Sequence, residues 1–209
     1  MDITDLSIAQ MQRGYRTSFI NSLNGYKCLQ LIGTTGKDGH SNLRLFSSVM
    51  HLGSFPALFG VVFRPKSQNH DTLSNIERSG IYTMNNVTAD FFEQAHQTSA
   101  RYESGCSEFV ECGLTELFTP GFDAPFVAES TIRIALKLKE IVPISINNTT
   151  LVIGEVVHVS MNEQFIADDG FIDHEKAGTL TVSGLDSYYT TRHLARLSYA
   201  KPGIPTKRI

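Results

Sequence analysis

Residues 42–75 read NLRLFSSVMHLGSFPALFGVVFRPKSQNHDTLSN, and this stretch decides the predicted fold. It holds a strand pattern that ends in two serines, a short apolar run at 57–63, and a polar segment that opens a helix. The apolar run lies between Pro56 and Pro65, which is typical of a strand buried on both faces. We therefore expect it at the centre of a sheet or barrel.

Hairpin patterns flank this stretch on both sides. Residues 27–34 are mostly apolar and are followed by turn formers, so a strand, a turn and a second strand over 42–49 are predicted in order. Residues 131–139 alternate strictly between two faces, and an Asn-Asn turn joins them to a β-branched run at 150–160. Both regions predict antiparallel strand pairs.

Helices are predicted between the strands rather than in a regular alternation with them. Capping residues open a helix at 71–79 and Gly80 follows it, while 89–97 gives a second helical pattern. The Tyr-rich and basic tail, residues 184–209, is predicted to dock on a surface. This order favours a mainly β fold, a β-barrel with peripheral helices.

Composition sets the broad class of the protein. The chain has 209 residues, 41% of them hydrophobic and 19% charged, which fits one globular domain with a substantial core. A formal net charge of −3 predicts no binding to nucleic acid or to an anionic membrane. The sequence shows no membrane span and no secretory signal pattern, so a cytoplasmic protein is expected. Its three cysteines lack a Cys-x-x-Cys spacing and predict free thiols.

Polar side chains in the opening stretch fall where strands end and a helix begins. Ser47 and Ser48 close one strand, and Arg64 closes the next. Ser67 and Thr72 follow in the connection to the helix. Hydroxyls, a guanidinium and free helix N–H groups are what a phosphate needs. Each residue alone has an ordinary explanation, such as a surface serine or a helix cap, but their combination predicts a phosphate pocket.

Other phosphate and catalytic motifs are absent from the sequence. No Gly-x-Gly-x-x-Gly opens a helix after the first strand, and no P-loop is present. The seven histidines form no His-Glu-x-x-His pair, and no Gly-x-Ser-x-Gly elbow marks a serine nucleophile. We therefore predict no metal site, and a hydrolase has no support.

A combination of short motifs carries a family resemblance. The most specific is Arg64-Pro65 followed by Asp71-Thr72-x-x-Asn75-Ile76. The weaker ones are Leu31-Ile32-Gly33-Thr34, Asp38-Gly39 with Asn42, Phe46-Ser47-Ser48, Cys112-Gly113-Leu114, Ala124-Pro125 and Tyr199-Ala200-Lys201-Pro202. With these motifs the chain resembles the flavin reductase-like group of FMN-binding split barrels over most of its length.

The resemblance implies a split barrel with Greek-key-like connectivity. It also implies a homodimer with one FMN per subunit near the dimer interface. The flavin reductase-like domain is then expected over residues 26–209, and residues 1–25 form an N-terminal arm.

The resemblance further implies which residues bind FMN. The full set is Asn42, Ser47, Ser48, Arg64, Ser67, His70, Thr72 and Lys201. Asn42 would lie beside the isoalloxazine, and the serine pair would contact the flavin or its phosphate. Arg64, Ser67 and Thr72 would bind the phosphate. His70 stands where such sequences often carry Lys or Arg, and Lys201 stands where Arg often precedes the proline.

The implied activity is FMN-dependent oxidoreduction. NADH or NADPH would dock transiently and reduce bound FMN, and the electrons would pass to free flavin, oxygen or another small-molecule acceptor. This chemistry requires no acid or base from the protein, so no catalytic residue is predicted. Two alternatives stay open. One is an FMN carrier or redox sensor without turnover, and the other is a module for a different phosphorylated ligand, such as pyridoxal phosphate.

Overall fold

Strands make up most of the regular structure in the computed structural model, which describes residues 1–65, 71–103 and 105–209. The helices are α1 (Asp5–Gln10), α2 (Arg13–Ser22), α3 (Asp71–Ser79), α4 (Phe92–Gln97) and α5 (Glu108–Cys112), with a 3-10 turn at Glu163–Phe165. The strands are β1 (Lys27–Cys28), β2 (Gln30–Thr35), β3 (Ser41–Phe46), β4 (Val49–Ser54), β5 (Ala57–Phe63), β6 (Ile81–Asn86), β7 (Glu116–Thr119), β8 (Phe122–Val127), β9 (Ile132–Ile144), β10 (Thr149–Met161), β11 (Thr181–Ser183) and β12 (Ser187–Tyr189). Within those described ranges, no helix is both long and apolar enough to cross a membrane.

A seven-stranded antiparallel sheet forms the body of the protein. Its strand order is β3-β2-β6-β9-β10-β5-β4. Neighbouring strands are often distant in the sequence, as in the pairs β2 with β6 and β5 with β10, which gives the expected Greek-key-like connectivity. A smaller sheet joins β1, β11 and β12, and β7 and β8 form a separate hairpin.

The large sheet curls because of one short connection. β3 and β4 lie at opposite edges of the sheet, yet only Ser47 and Ser48 separate Phe46 from Val49. Three peptide steps reach at most about 11 Å, so the two edges must approach each other at this point. Because β3 and β4 are not hydrogen-bonded neighbours in the described sheet, the barrel is split along this line, which we call the seam.

Apolar side chains fill both sides of the curled sheet. The barrel interior is formed by a cluster around Ile32, Tyr82 and Leu136. A second cluster, around Leu43 and Phe109, lies on the outer face under α4 and α5. Successive side chains of a strand point to opposite faces, and this is why neighbouring residues of β2 and β3 contribute to different clusters.

The structure confirms most predicted elements and corrects one position. The helix predicted at 71–79 is α3, and the alternating segment at 131–139 is the first part of the long strand β9, which forms a hairpin with β10. The strand predicted at 57–63 is β5, but its predicted central place is wrong, since it lies second from the edge of the sheet. Its second face is only partly covered, because Val62 on that face lines the cavity at the seam.

Two glycines permit close approaches inside this barrel. A methyl group at Gly33 would overlap the carbonyl oxygen of Pro125, so the glycine lets β8 pack on β2. A methyl group at Gly154 would overlap the hydroxyl of Tyr82. That hydroxyl is buried and has no hydrogen-bond partner among the described residues, and burial raises the pKa of Tyr82 well above its usual range.

Substitutions at this contact test the packing of the barrel. Tyr82→Phe removes a buried, unpaired hydroxyl and is expected to raise the free energy of unfolding by about 1 kcal/mol. Gly154→Ala is expected to lower it by about 1–3 kcal/mol through overpacking. In the double variant the loss becomes smaller, because the hydroxyl that the methyl group meets is gone. Urea unfolding of the four proteins measures these values, and a Tyr82→Phe protein less stable than wild type by 1 kcal/mol or more would show that the hydroxyl has a partner.

Candidate functional site

A cavity of about 900 Å³ opens at the seam. Its inner wall is formed by the last residues of β3, the connection to β4, and the end of β5. Its outer wall comes from α2, α4 and the residues that follow β11. The cavity is therefore a product of barrel closure, because the two sheet edges that border it are brought together only at the seam.

Four of the predicted site residues meet in this cavity. Ser47, Ser48, Arg64 and Thr72 all line it. The serines are the seam connection itself, Arg64 directly follows β5, and Thr72 lies in the first turn of α3. The predicted convergence of two strand ends and a helix start is thus present in the structure.

The other four predicted residues are placed differently. Asn42 is 8% exposed and is hydrogen-bonded behind Thr72 rather than lining the cavity. Lys201 is exposed in the C-terminal tail, where it forms a β-bridge with Ile204, and it does not line the cavity of its own chain. Ser67 and His70 lie outside the described residues.

Lys27 adds a cation that sequence reasoning missed. It lines the same cavity as Arg64, and its Nζ donates a hydrogen bond of 2.5 Å to the carbonyl oxygen of Gly184. Burial, and then the charge of Arg64, hold the pKa of Lys27 below its usual value. Within the described chain, no carboxylate pairs with either cation. Arg44 and Asp186 line the cavity as well, so its lining holds three cations and one carboxylate. This excess of positive charge favours an anionic ligand.

The seam hydroxyl of Ser48 is fixed by β5. Its Oγ donates to the carbonyl oxygen of Val62 at 2.7 Å, and the N–H of Val62 donates to the carbonyl oxygen of Ser48 at 3.2 Å. These two bonds attach the connection to the neighbouring strand. Ser48 therefore has a defined orientation before any ligand enters the cavity.

A buried carboxylate supports the helix side of the cavity. Glu108, at the start of α5, is 6% exposed, and its Oε2 accepts from Asn42 Nδ2 at 2.9 Å and from the N–H of Leu43 at 3.0 Å. Burial raises the pKa of Glu108, although the bonds from Leu43 and Asn42 act in the opposite direction. Asn42 Oδ1 in turn accepts from Thr72 Oγ1 at 2.7 Å. A chain of hydrogen bonds thus runs from Glu108 to the cavity wall.

Neither Lys27 nor Glu108 carries a recognisable sequence signal. Lys27 stands at the start of an apolar run, where a lysine is an ordinary solvated residue. Glu108 stands in the first turn of a short helix, where an acid is favoured by the helix dipole alone. In the parts of the chain that the structure describes, no group of three His, Cys, Asp or Glu side chains is arranged to hold a metal ion.

Comparison with known proteins identifies the fold and the family. A protein from Shewanella frigidimarina described as a flavin reductase with a split barrel domain is 45% identical, with a TM-score of 0.92 over 96% of this chain and 100% of that one. Nitrilotriacetate monooxygenase component B from Bacillus cereus is 18% identical, with a TM-score of 0.83 over 94% of this chain and 98% of that one. The FMN-binding protein from Thermus thermophilus is 15% identical, with a TM-score of 0.66 over 82% of this chain and 90% of that one.

The last two similarities show the fold alone, and together with the first they confirm the predicted split barrel. The model of the flavin reductase like domain matches residues 29–180, which is most of the chain. The match includes the described cavity residues Ser47, Ser48, Arg64 and Thr72. On this evidence, the chain belongs to the flavin reductase-like domain family.

Proposed function

We propose that this protein is an FMN-binding oxidoreductase that uses NADH or NADPH as a transient electron donor. The observation that carries the proposal is the excess of positive charge, supplied by Lys27, Arg44 and Arg64, in a cavity built at the seam of a flavin reductase-like barrel. Membership of the family supports a flavin as the ligand, and the unpaired positive charge supports a phosphorylated one.

The residues present fit FMN. Lys27 and Arg64 can neutralise a phosphate, since each donates charge-assisted hydrogen bonds. Apolar side chains of Phe46, Val62 and Phe63 line the same cavity and provide surface for a flat ring system. When bound, FMN supplies the redox chemistry, and the protein binds it, orients it and limits the access of water.

The size of the cavity supports a second, transient ligand. Its volume of about 900 Å³ is near the upper end of small-molecule sites, which hold roughly 300–1,000 Å³. The outer wall presents the amides of Asn21 and Asn24, which can hydrogen-bond a polar donor. We place the nicotinamide donor against this wall, with free flavin, oxygen or another small molecule as the final electron acceptor.

We also propose that the protein is a homodimer. Leu194 and Tyr199 in the C-terminal tail are each 88% exposed, and Tyr15 and Leu23 on the arm are exposed as well. The tail and the arm each carry several more exposed apolar side chains, and exposed apolar surface of this extent marks interaction sites in soluble proteins. A second copy of the chain would cover the tail. The contribution of Lys201 to a flavin site, which the family resemblance implies, stays a prediction.

Arg64→Ala tests the placement of the phosphate. Loss of a charge-assisted contact of about 1.5–3 kcal/mol is expected to weaken FMN binding roughly tenfold or more, while riboflavin, which lacks the phosphate, binds as before. Quenching of flavin fluorescence gives both dissociation constants. Arg101→Ala, which removes an exposed arginine that does not line the cavity, serves as the matched control and should change neither value. Equal weakening of FMN and riboflavin binding by Arg64→Ala would show that the phosphate does not bind at Arg64.

Anaerobic titration tests the redox function. The purified protein is expected to show the absorption spectrum of a bound flavin, and NADH or NADPH is expected to bleach it within seconds to minutes. A flavin spectrum that neither nicotinamide bleaches would leave the carrier or sensor function in place of the oxidoreductase. A pyridoxal spectrum, or a colourless protein without affinity for FMN, would contradict the proposal as a whole.

The molar mass in solution tests the homodimer. Light scattering behind a sizing column is expected to give twice the 23.2 kDa of one chain. Leu194→Glu places a charge in the proposed interface and should shift the protein toward the monomer. Ile146→Glu, at an exposed apolar residue in the turn between β9 and β10, is the control and should leave the mass unchanged. A wild-type mass of one chain would exclude the dimer.

A further inference from the structure

Residues 1–25, the N-terminal arm, form part of the cavity wall but are held loosely to the barrel. Ile20, Asn21 and Asn24 line the cavity. No residue of the arm is buried. Among the described residues, every hydrogen bond of the arm lies within the arm, and none reaches the barrel. A segment with so few anchoring contacts opens at a low cost in free energy.

Internal hydrogen bonds keep the two helices of the arm together. The Arg16 guanidinium of α2 donates to the carbonyl oxygens of Ala9 and Met11, at 3.2 and 3.4 Å, and so connects α2 to the end of α1. The side-chain oxygens of Thr4 and Gln12 cap the two helices. The helices can therefore move as one body.

The chain has a defined boundary between the loose arm and the fixed barrel. Gly25 adopts a left-handed backbone with a φ of 76°, and a Cβ at this position would meet nothing within 4 Å. Two residues later the chain is fixed, because β1 pairs with β11 and Lys27 Nζ donates to the carbonyl oxygen of Gly184. Glycine changes its backbone angles more freely than other residues, and hinges lie at such positions between elements. Gly25 is thus placed to act as the hinge of the arm.

The arm meets the rest of the outer wall at the turn between β11 and β12. Ser22 Cβ lies 3.8 Å from the position that a Cβ on Gly184 would occupy. Asn21 and Leu185, the neighbours of these two residues, both line the cavity. Movement of the arm away from this turn would therefore open the outer wall.

We propose that the arm is a lid, which pivots at Gly25, opens to admit FMN and the nicotinamide donor, and closes against the β11–β12 turn over bound FMN. The identity of both ligands rests on the proposed function. Asn21 and Asn24 move with the lid, so their amides reach a ligand only in the closed state. Closure also limits the access of water to the cavity.

A disulfide between the arm and the turn tests the lid. Disulfides join Cβ atoms about 3.5–4.5 Å apart, so Ser22→Cys combined with Gly184→Cys can be oxidised in the closed state. The exposed cysteines Cys28 and Cys106 are replaced by serine in every protein compared. When FMN is loaded before oxidation, its release after dilution and its reduction by NADH or NADPH are each expected to slow roughly tenfold or more. Recovery of flavin fluorescence measures the release, and bleaching of the flavin absorbance measures the reduction.

The dithiol form of the same double variant is the matched control. Dithiothreitol breaks the disulfide and should restore both rates. Gly184→Cys alone, which places a side chain at a φ of 65°, measures the effect of the new residue itself. The lid is overturned if the disulfide and dithiol forms release FMN and accept electrons at the same rates. It is also overturned if the disulfide does not form, or if it joins two chains, because the arm would then lie over a second copy.

Hydrogen exchange tests the lid in the unmodified protein. Without ligand, the amides of α2 are expected to exchange roughly a hundredfold or more faster than those of β9, and FMN should slow them roughly tenfold. Exchange as slow as in β9 would show a fixed wall, and fast exchange that FMN leaves unchanged would show a frayed helix. Either result overturns the lid. If wild type binds no flavin, the proposed function itself fails, while fast exchange in α2 and formation of the disulfide within one chain would still support the movement of the arm.

Discussion

The two-residue connection between β3 and β4 is the constraint on which the rest of the structure depends. These strands form opposite edges of the large sheet, and Ser47 and Ser48 are too short a link to let the edges stay apart. The sheet must curl, and the seam must lie at the serines. Barrel closure and the position of the cavity are consequences of the same short stretch of chain.

Electrostatics then gives the cavity its chemical character. Lys27 and Arg64 are brought into it from separate parts of the sequence and have no carboxylate partner within the described residues. In the described part of the chain the buried acid Glu108 forms no ion pair with them, and its Oε2 accepts hydrogen bonds from Asn42 and Leu43. The positive charge is therefore left for a ligand, while the buried polar groups behind the wall satisfy one another.

The family match includes only part of the cavity lining. The family match covers residues 29–180, which include the inner wall at the seam. Ile20, Asn21 and Asn24 of the outer wall precede this region, and Leu185 and Asp186 follow it. The terminal segments thus supply a wall of the cavity that the family match does not include.

The sequence by itself determined the local elements and the residue types of the site. Apolar periodicity and capping residues are local signals, and they were sufficient for β5, α3 and the β9–β10 hairpin, and for the meeting of Ser47, Ser48, Arg64 and Thr72. Only the tertiary structure decided the place of β5 second from the sheet edge, the cation supplied by Lys27, and the position of Asn42 behind the cavity wall rather than in its lining. These depend on how distant segments pack, which no periodicity encodes.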